Sequence, residues 1–328
     1  MAVTAPGAGL RVAVESERPL DLARTLGPLR RGAYDPTLRA APDGALWRTS
    51  RLPTGPVTYR LVQTRPRTVV GHLWGPGADE GAARLPALLG RDDAAAGFAP
   101  PSGLAETARR HPGIRVPATG QVLEALIPAI LEQRVVGVTA FRAWAWLLGH
   151  HGEPAPGPDA GSPGGPPPGM RVVPDAAAWA RVPTWDWHRA GVDPGRARTA
   201  VECARRGAAI ERLSSLPPGD AQARLRSLRG VGAWTAAEVA QRAWGDADAV
   251  SVGDYHLAKA VIWAFDGDRG ARRDGAPGGH PDDDARMLEL LEPYRPHRYR
   301  VVLLLKAAGR GQPPRRGPRM SIADHRTH

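Results

Sequence analysis

The stretch from Leu225 to Phe265, LRSLRGVGAWTAAEVAQRAWGDADAVSVGDYHLAKAVIWAF, constrains this chain more than any other. Inside it the turn Leu228-Arg229-Gly230-Val231-Gly232 separates two helical patterns. Glycine tolerates backbone dihedrals closed to other residues and leaves no side chain in the way. The N–H groups of such a turn can point outward at the mouth of the next helix. Unpaired donors and the helix dipole make that mouth a binding site for anions, phosphate above all. A net charge of +11 makes a polyanion the natural source of the phosphate. GVG alone is equally an ordinary turn between helices. The weight comes from its context: apolar neighbours, helical periodicity on both sides, and an aspartate about twenty residues on.

The helix after the turn carries Ala236, Val239, Ala240 and Ala243 at i, i+3, i+4 and i+7, a buried stripe. Asp254 then precedes Ala258, Val261, Ile262 and Phe265 at the same spacing. An aspartate in that place is an ordinary helix N-cap. It is also a fixed anion, which is what a developing sugar cation needs, and the two roles are compatible.

LRGVGAWTA followed by GDYHLAK resembles the signature of the helix–hairpin–helix DNA glycosylase superfamily. The branch it is most similar to removes alkylated purines, the 3-methyladenine DNA glycosylase II type. The core of the resemblance spans about forty residues, with weaker similarity from Val116 to Ala308. It implies a fold that is α+β overall: a mostly α-helical two-lobed core behind a small β-rich N-terminal domain. By the same resemblance Asp254 is the catalytic carboxylate. Arg229, Gly230, Val231, Gly232, Ala233 and Thr235 grip the DNA backbone. Gln133 and Arg134, at the tip of ILEQRVVG, enter the duplex where a base has been flipped out; a solvated break in a helix is the competing reading of that segment. Some relatives carry an apolar wedge beside the glutamine, where this chain has Arg134.

The base pocket implied by the family is formed by Trp234, Glu238 and His297. Glu238 and His297 depart from it, because close relatives have aromatic residues there. Trp234 stands where strand-cleaving relatives have a lysine nucleophile. A tryptophan cannot form the Schiff base of lyase chemistry, so the expected enzyme is monofunctional. Alkylated purines carry positive charge and leave without a general acid, so one carboxylate suffices. The expected partner is double-stranded DNA containing damaged bases, met by a monomer. The family often carries a monovalent cation beside the hairpin; no other cofactor is implied. Two further readings stay open: a helix–hairpin–helix module that binds DNA without chemistry, and a glycosylase–lyase for oxidised bases.

The rest of the chain fits this frame. Residues 1–112 contain runs of β-branched and aromatic residues, Arg11–Glu15, Ala45–Arg51, Thr58–Thr64 and Arg67–Trp74, broken by Pro and Gly. They predict a small antiparallel sheet with helices near Leu20–Leu29 and Gly81–Leu89. Residues 113–309 form the helical domain. There Leu123, Leu126, Ile127, Ile130 and Leu131 keep helical spacing, with Pro128 expected to kink the run or open a helix. The Pro/Gly stretch 152–170 predicts a flexible surface loop. Asp193-Pro194 predicts a helix start and Asp220 a cap, while Trp185 and Trp187 are expected in packing. After a polar loop over Asp266–Asp284, Met287 opens a short helix and Pro296 the last one. The tail 310–328 is basic.

Cys203 is the only cysteine, which excludes an internal disulfide and a cysteine-ligated metal or cluster. No metal site is expected. No run of eighteen apolar residues suits a membrane span, and a cytoplasmic, nucleoid-associated protein is the expectation.

Overall fold

The computed structural model describes residues 9–254, 256–267 and 281–309. The tail 310–328 and most of the loop expected over Asp266–Asp284 lie outside the described residues.

Alternation of apolar and polar residues builds the N-terminal unit. Its strands are β1 (Leu10–Glu15), β2 (Leu38–Ala40), β3 (Leu46–Leu52), β4 (Gly55–Arg65) and β5 (Thr68–Trp74). Among the described residues they form a five-stranded antiparallel sheet in the order β1-β5-β4-β3-β2. Leu10 lies opposite Leu73 and Tyr59 opposite Leu73, so apolar residues face alike across three strands. Two helices, α1 (Leu22–Leu26) and α2 (Ala78–Leu88), cover that face, and Leu26, Leu61, Leu73 and Leu85 are buried between the layers. β2 is only three residues long and carries no alternation that a sequence reading could detect.

The helical core follows, after α3 (Ala105–Arg110). At its centre is α4 (Val122–Leu131), apolar nearly all round and buried on every side but that of Glu124. Pro128 lies inside α4 rather than at its start, and the helix ends one turn later at Glu132, whose N–H still reaches the Pro128 carbonyl. Around it pack α5 (Gly137–His151), α6 (Ala176–Arg181), α7 (Thr184–Arg189), α8 (Pro194–Arg205), α9 (Gly207–Glu211), α10 (Pro218–Arg226) and α11 (Ala233–Ala243). This is the first lobe. The second joins α12 (Leu257–Asp266), α13 (Pro281–Leu291) and α14 (Arg298–Ala307) around Val261, Met287, Leu291, Val301 and Leu304, with Leu104 and Val116 completing the cluster. The two lobes have separate apolar cores, which is the expected α+β architecture with a two-lobed helical body.

Several local expectations need correction. The stretch 152–170 is not free: Glu153–Pro154 (β6) pairs with Arg171–Val172 (β7), and Ala155 and Met170 pack beside Trp47 on the open face of the sheet. Trp187 is buried against Trp179, but Trp185 is 64% exposed, because the helical turn of α7 sends these two rings to opposite sides. Asp220 lies in the first turn of α10, which starts at Pro218, and α13 begins at Pro281, earlier than Met287.

Charged bonds join the N-terminal unit to the core. Glu124 of α4 accepts from Arg48 Nη2 and Ser50 Oγ of β3, both at 2.6 Å. The indole of Trp144 on α5 donates to buried Asp35 at 3.1 Å. Arg31 Nη1 lies 3.2 Å from Glu132, and Arg242 Nε donates to the Pro28 carbonyl at 3.1 Å.

Candidate active site at the hairpin and the following helix

α10 ends at Arg226 and α11 begins at Ala233, so Leu228–Gly232 is the turn between them. Gly230 has φ +85°, in the left-handed region, and a Cβ there would lie 2.3 Å from Thr199 Oγ1. Both facts require glycine. Gly232 is different: at φ −93° and ψ −175° its backbone is extended and any residue could adopt it. Val231 and Thr235 are buried and anchor the turn, while Arg229, Gly230, Gly232 and Ala233 are exposed. The first N–H groups of α11 therefore open to the surface without helical partners.

Gln133 does not project freely. Its Nε2 donates to the Gly230 carbonyl at 2.9 Å and to Thr235 Oγ1 at 2.8 Å, so it braces the turn from α4. Its neighbour Arg134 is exposed and has φ +54°, the one non-glycine residue with positive φ among the described residues. The segment 132–136 thus folds beside the hairpin, with Gln133 tied to it and Arg134 at the surface. The carbonyls of Leu225, Leu228 and Gly230 each accept a hydrogen bond.

Asp254 lies at the start of α12. Its Oδ1 accepts the backbone N–H groups of His256 and Leu257, each at 2.9 Å, and its Oδ2 accepts the indole N–H of Trp234 at 3.1 Å. The cap and the fixed anion are one arrangement, joined to the hairpin helix through Trp234. Asp254 also lines a pocket of about 330 Å³ whose wall includes Glu238, Ser251, His256, Tyr299 and Lys306. This brings Asp254 and Glu238 to one cavity. His297 is not on its described wall. It packs edge-on against Phe98, ring centroids 5.3 Å apart, with Nε2 facing the Ala96 carbonyl at 3.3 Å. Trp234 reaches the site through its bond to Asp254 while its ring packs against the first lobe's core.

Glu238 is buried in a pair with Arg242, Nη1 to Oε2 at 2.7 Å, and its Oε1 accepts from Ser251 Oγ at 2.5 Å. Burial alone would push its carboxyl up. The Arg242 guanidinium, the Ser251 bond, Lys306 and Arg31 together outweigh burial and hold it below the usual glutamate range. Sequence reasoning did not place Ser251, Tyr299 or Lys306 at the site. A signal existed: Tyr299 and Lys306 are seven apart, on one face of a helix. Among the described residues no His/Cys/Asp/Glu group could hold a metal ion, and no helix is long and apolar enough to cross a membrane.

No family model matches the chain, and no curated protein does either. Solved structures do. A 3-methyladenine DNA-glycosylase from Archaeoglobus fulgidus superposes with a TM-score of 0.67 at 18% identity, over 90% of this chain and 97% of that one. The apo form of the Clostridium acetobutylicum 8-oxoguanine glycosylase/lyase gives 0.65 at 13%, over 90% and 95%. MBOgg1, in complex with a low affinity DNA ligand, gives 0.65 at 14%, over 94% and 98%. The chain therefore shares the fold of these DNA glycosylases.

Proposed function

We propose that the protein is a monofunctional DNA glycosylase of base excision repair, which hydrolyses the N-glycosidic bond of alkylated purines and leaves an abasic site. The observation that carries this reading is the Asp254 carboxylate, fixed by three N–H donors on the wall of a pocket beside the helix that follows the hairpin.

The steps follow from the chemistry. The exposed turn Arg229–Ala233 takes backbone phosphate, and Arg134 occupies the space left when the nucleotide swings out. The base enters the pocket, and the sugar comes to Asp254. As the bond to the base lengthens, positive charge grows on the sugar ring, and the preset carboxylate stabilises it without reorganising. Its free lone pairs orient the attacking water by analogy with glycoside hydrolysis. A purine methylated at N3 or N7 departs as a neutral molecule, so no acid partner is needed. Trp234 offers no amine for a Schiff base.

A second reading rests on Lys306, one of only two lysines, which lines the same pocket. Its amine attacking C1′ of the abasic sugar, with loss of water, gives an iminium from which the 3′ phosphate is eliminated. Incubation with methylated duplex DNA decides between them. Abasic sites without strand breaks support the monofunctional reading. Strand breaks with borohydride trapping, lost in Lys306→Gln, establish the lyase. Bound DNA with no product from any damaged base makes the protein a binding module.

A further inference from the structure

The pocket holds a second carboxylate that the hydrolysis does not use. Glu238 is fixed from both sides: Oε2 pairs with Arg242, and Oε1 accepts from Ser251. Ser251 is itself oriented, because its Oγ accepts from Gln241 Nε2 at 2.9 Å, and that amide also donates to the Ala249 carbonyl at 3.0 Å. Arg242 is held in turn by the carbonyls of Pro28 and Glu238. Every neighbour donates to the carboxylate, and each of its oxygens keeps lone pairs for a further donor. Glu238 is thus a rigid acceptor on the wall of a cavity whose other named carboxylate is committed to the sugar. Lys306, on the wall of the same cavity, is a donor.

We infer that Glu238 reads the Watson–Crick edge of the flipped base and selects lesions derived from guanine over those derived from adenine. The inference rests on the glycosylase reading above. A flipped base is recognised on that edge. Guanine presents two adjacent donors there, N1–H and N2–H₂, which match a carboxylate as a fork, and next to them the acceptor O6, which matches Lys306. Adenine presents one donor, N6–H₂, beside the acceptor N1, and a carboxylate set against N1 is repelled. Alkylation at N7 and oxidation at C8 both leave the guanine edge intact, so the same contact serves either lesion.

One alkylated duplex supplies both test bases, 7-methylguanine and 3-methyladenine, and a second duplex carries 8-oxoguanine. Release of each is expressed relative to its uncatalysed loss. The expected result is a preference for 7-methylguanine over 3-methyladenine of at least about tenfold, the discrimination of one good bidentate contact, falling toward one in Glu238→Gln. Ser251→Ala leaves the Arg242 pair in place and serves if Glu238→Gln does not fold; it is expected to lower the preference by a smaller factor. Equal release, preference for 3-methyladenine, or a preference that both variants leave unchanged overturns the inference while the glycosylase reading stands. Release of 8-oxoguanine alone keeps the guanine-edge contact and removes the alkylpurine assignment. Release of no base removes the parent reading and the inference with it.

Discussion

The indole N–H of Trp234, near the start of the hairpin helix, donates to Oδ2 of Asp254 at the head of the next helix, 3.1 Å away. This bond ties the proposed catalytic carboxylate to the helix that follows the hairpin turn. Trp234→Phe keeps most of the ring and removes only the donor. A hydrogen bond to a charged group contributes about 1.5–3 kcal/mol, so single-turnover base release should fall roughly ten- to a hundredfold. The melting temperature should fall by only a few degrees, because the bond is lost while the ring still packs against the first lobe.

Gly230→Ala should damage the protein through its backbone. The residue sits at φ +85°, and the new methyl group would meet Thr199 Oγ1. Strain and clash together should cost about 1–3 kcal/mol, read as a lowered melting temperature, and DNA affinity should drop as the turn shifts. Thr199→Ala in the same chain should restore part of the loss, since it removes the clash and leaves the strain.

The buried pair Arg300–Asp93 fixes the last helix to the loop after α2, and Asp93 is only 1% exposed on its side chain. Arg300→Met leaves that carboxylate buried without its cation. Breaking such a pair costs about 3–5 kcal/mol, so chemical denaturation should show a loss of that order. The double variant Arg300→Met/Asp93→Leu should recover most of it.

Glu238 makes stability depend on pH in a defined direction. Its folded carboxyl is held below the ordinary value by Arg242, Ser251, Lys306 and Arg31 together, against the opposing effect of burial. A depressed carboxyl stabilises the fold above the pH where a free glutamate titrates and loses that contribution as the pH falls through the folded value. Glu238→Gln should therefore lower the melting temperature at pH 7, and the gap to wild type should narrow below about pH 4.5, where a free glutamate titrates. A gap that widens on acidification would contradict the assignment.

How much of this was legible in the sequence follows from how local each feature is. The turn, α11 and the Asp254 cap lie within about forty residues and depend on near neighbours, so Gly230 and Asp254 could be read directly. The sheet was legible where alternation ran five residues or more, and β2 was not. The pocket wall was only half legible. Glu238 lies on α11, but its carboxylate takes its meaning from Arg242, Ser251 and the Pro28 carbonyl, and the last is brought there by folding of a distant unit. Tyr299 and Lys306 meet Asp254 only after α14 has packed beside α12 in the second lobe. The position of His297 before α14 was visible, but its packing against Phe98, nearly two hundred residues earlier, was not. Gln133 is bonded to Gly230 and Thr235, a contact across about a hundred residues that no local pattern shows.

The central claim is that Asp254 carries the bond cleavage. Asp254→Asn keeps the size of the side chain and an oxygen to accept the N–H groups of His256 and Leu257, and it removes the negative charge. Base release from methylated duplex DNA should be measured for both proteins under single-turnover conditions, beside their DNA affinities. Release should fall at least about a hundredfold in Asp254→Asn, with affinity within a few fold of wild type. Release by Asp254→Asn at the wild-type rate would contradict the central claim and move the chemistry to another residue of the pocket.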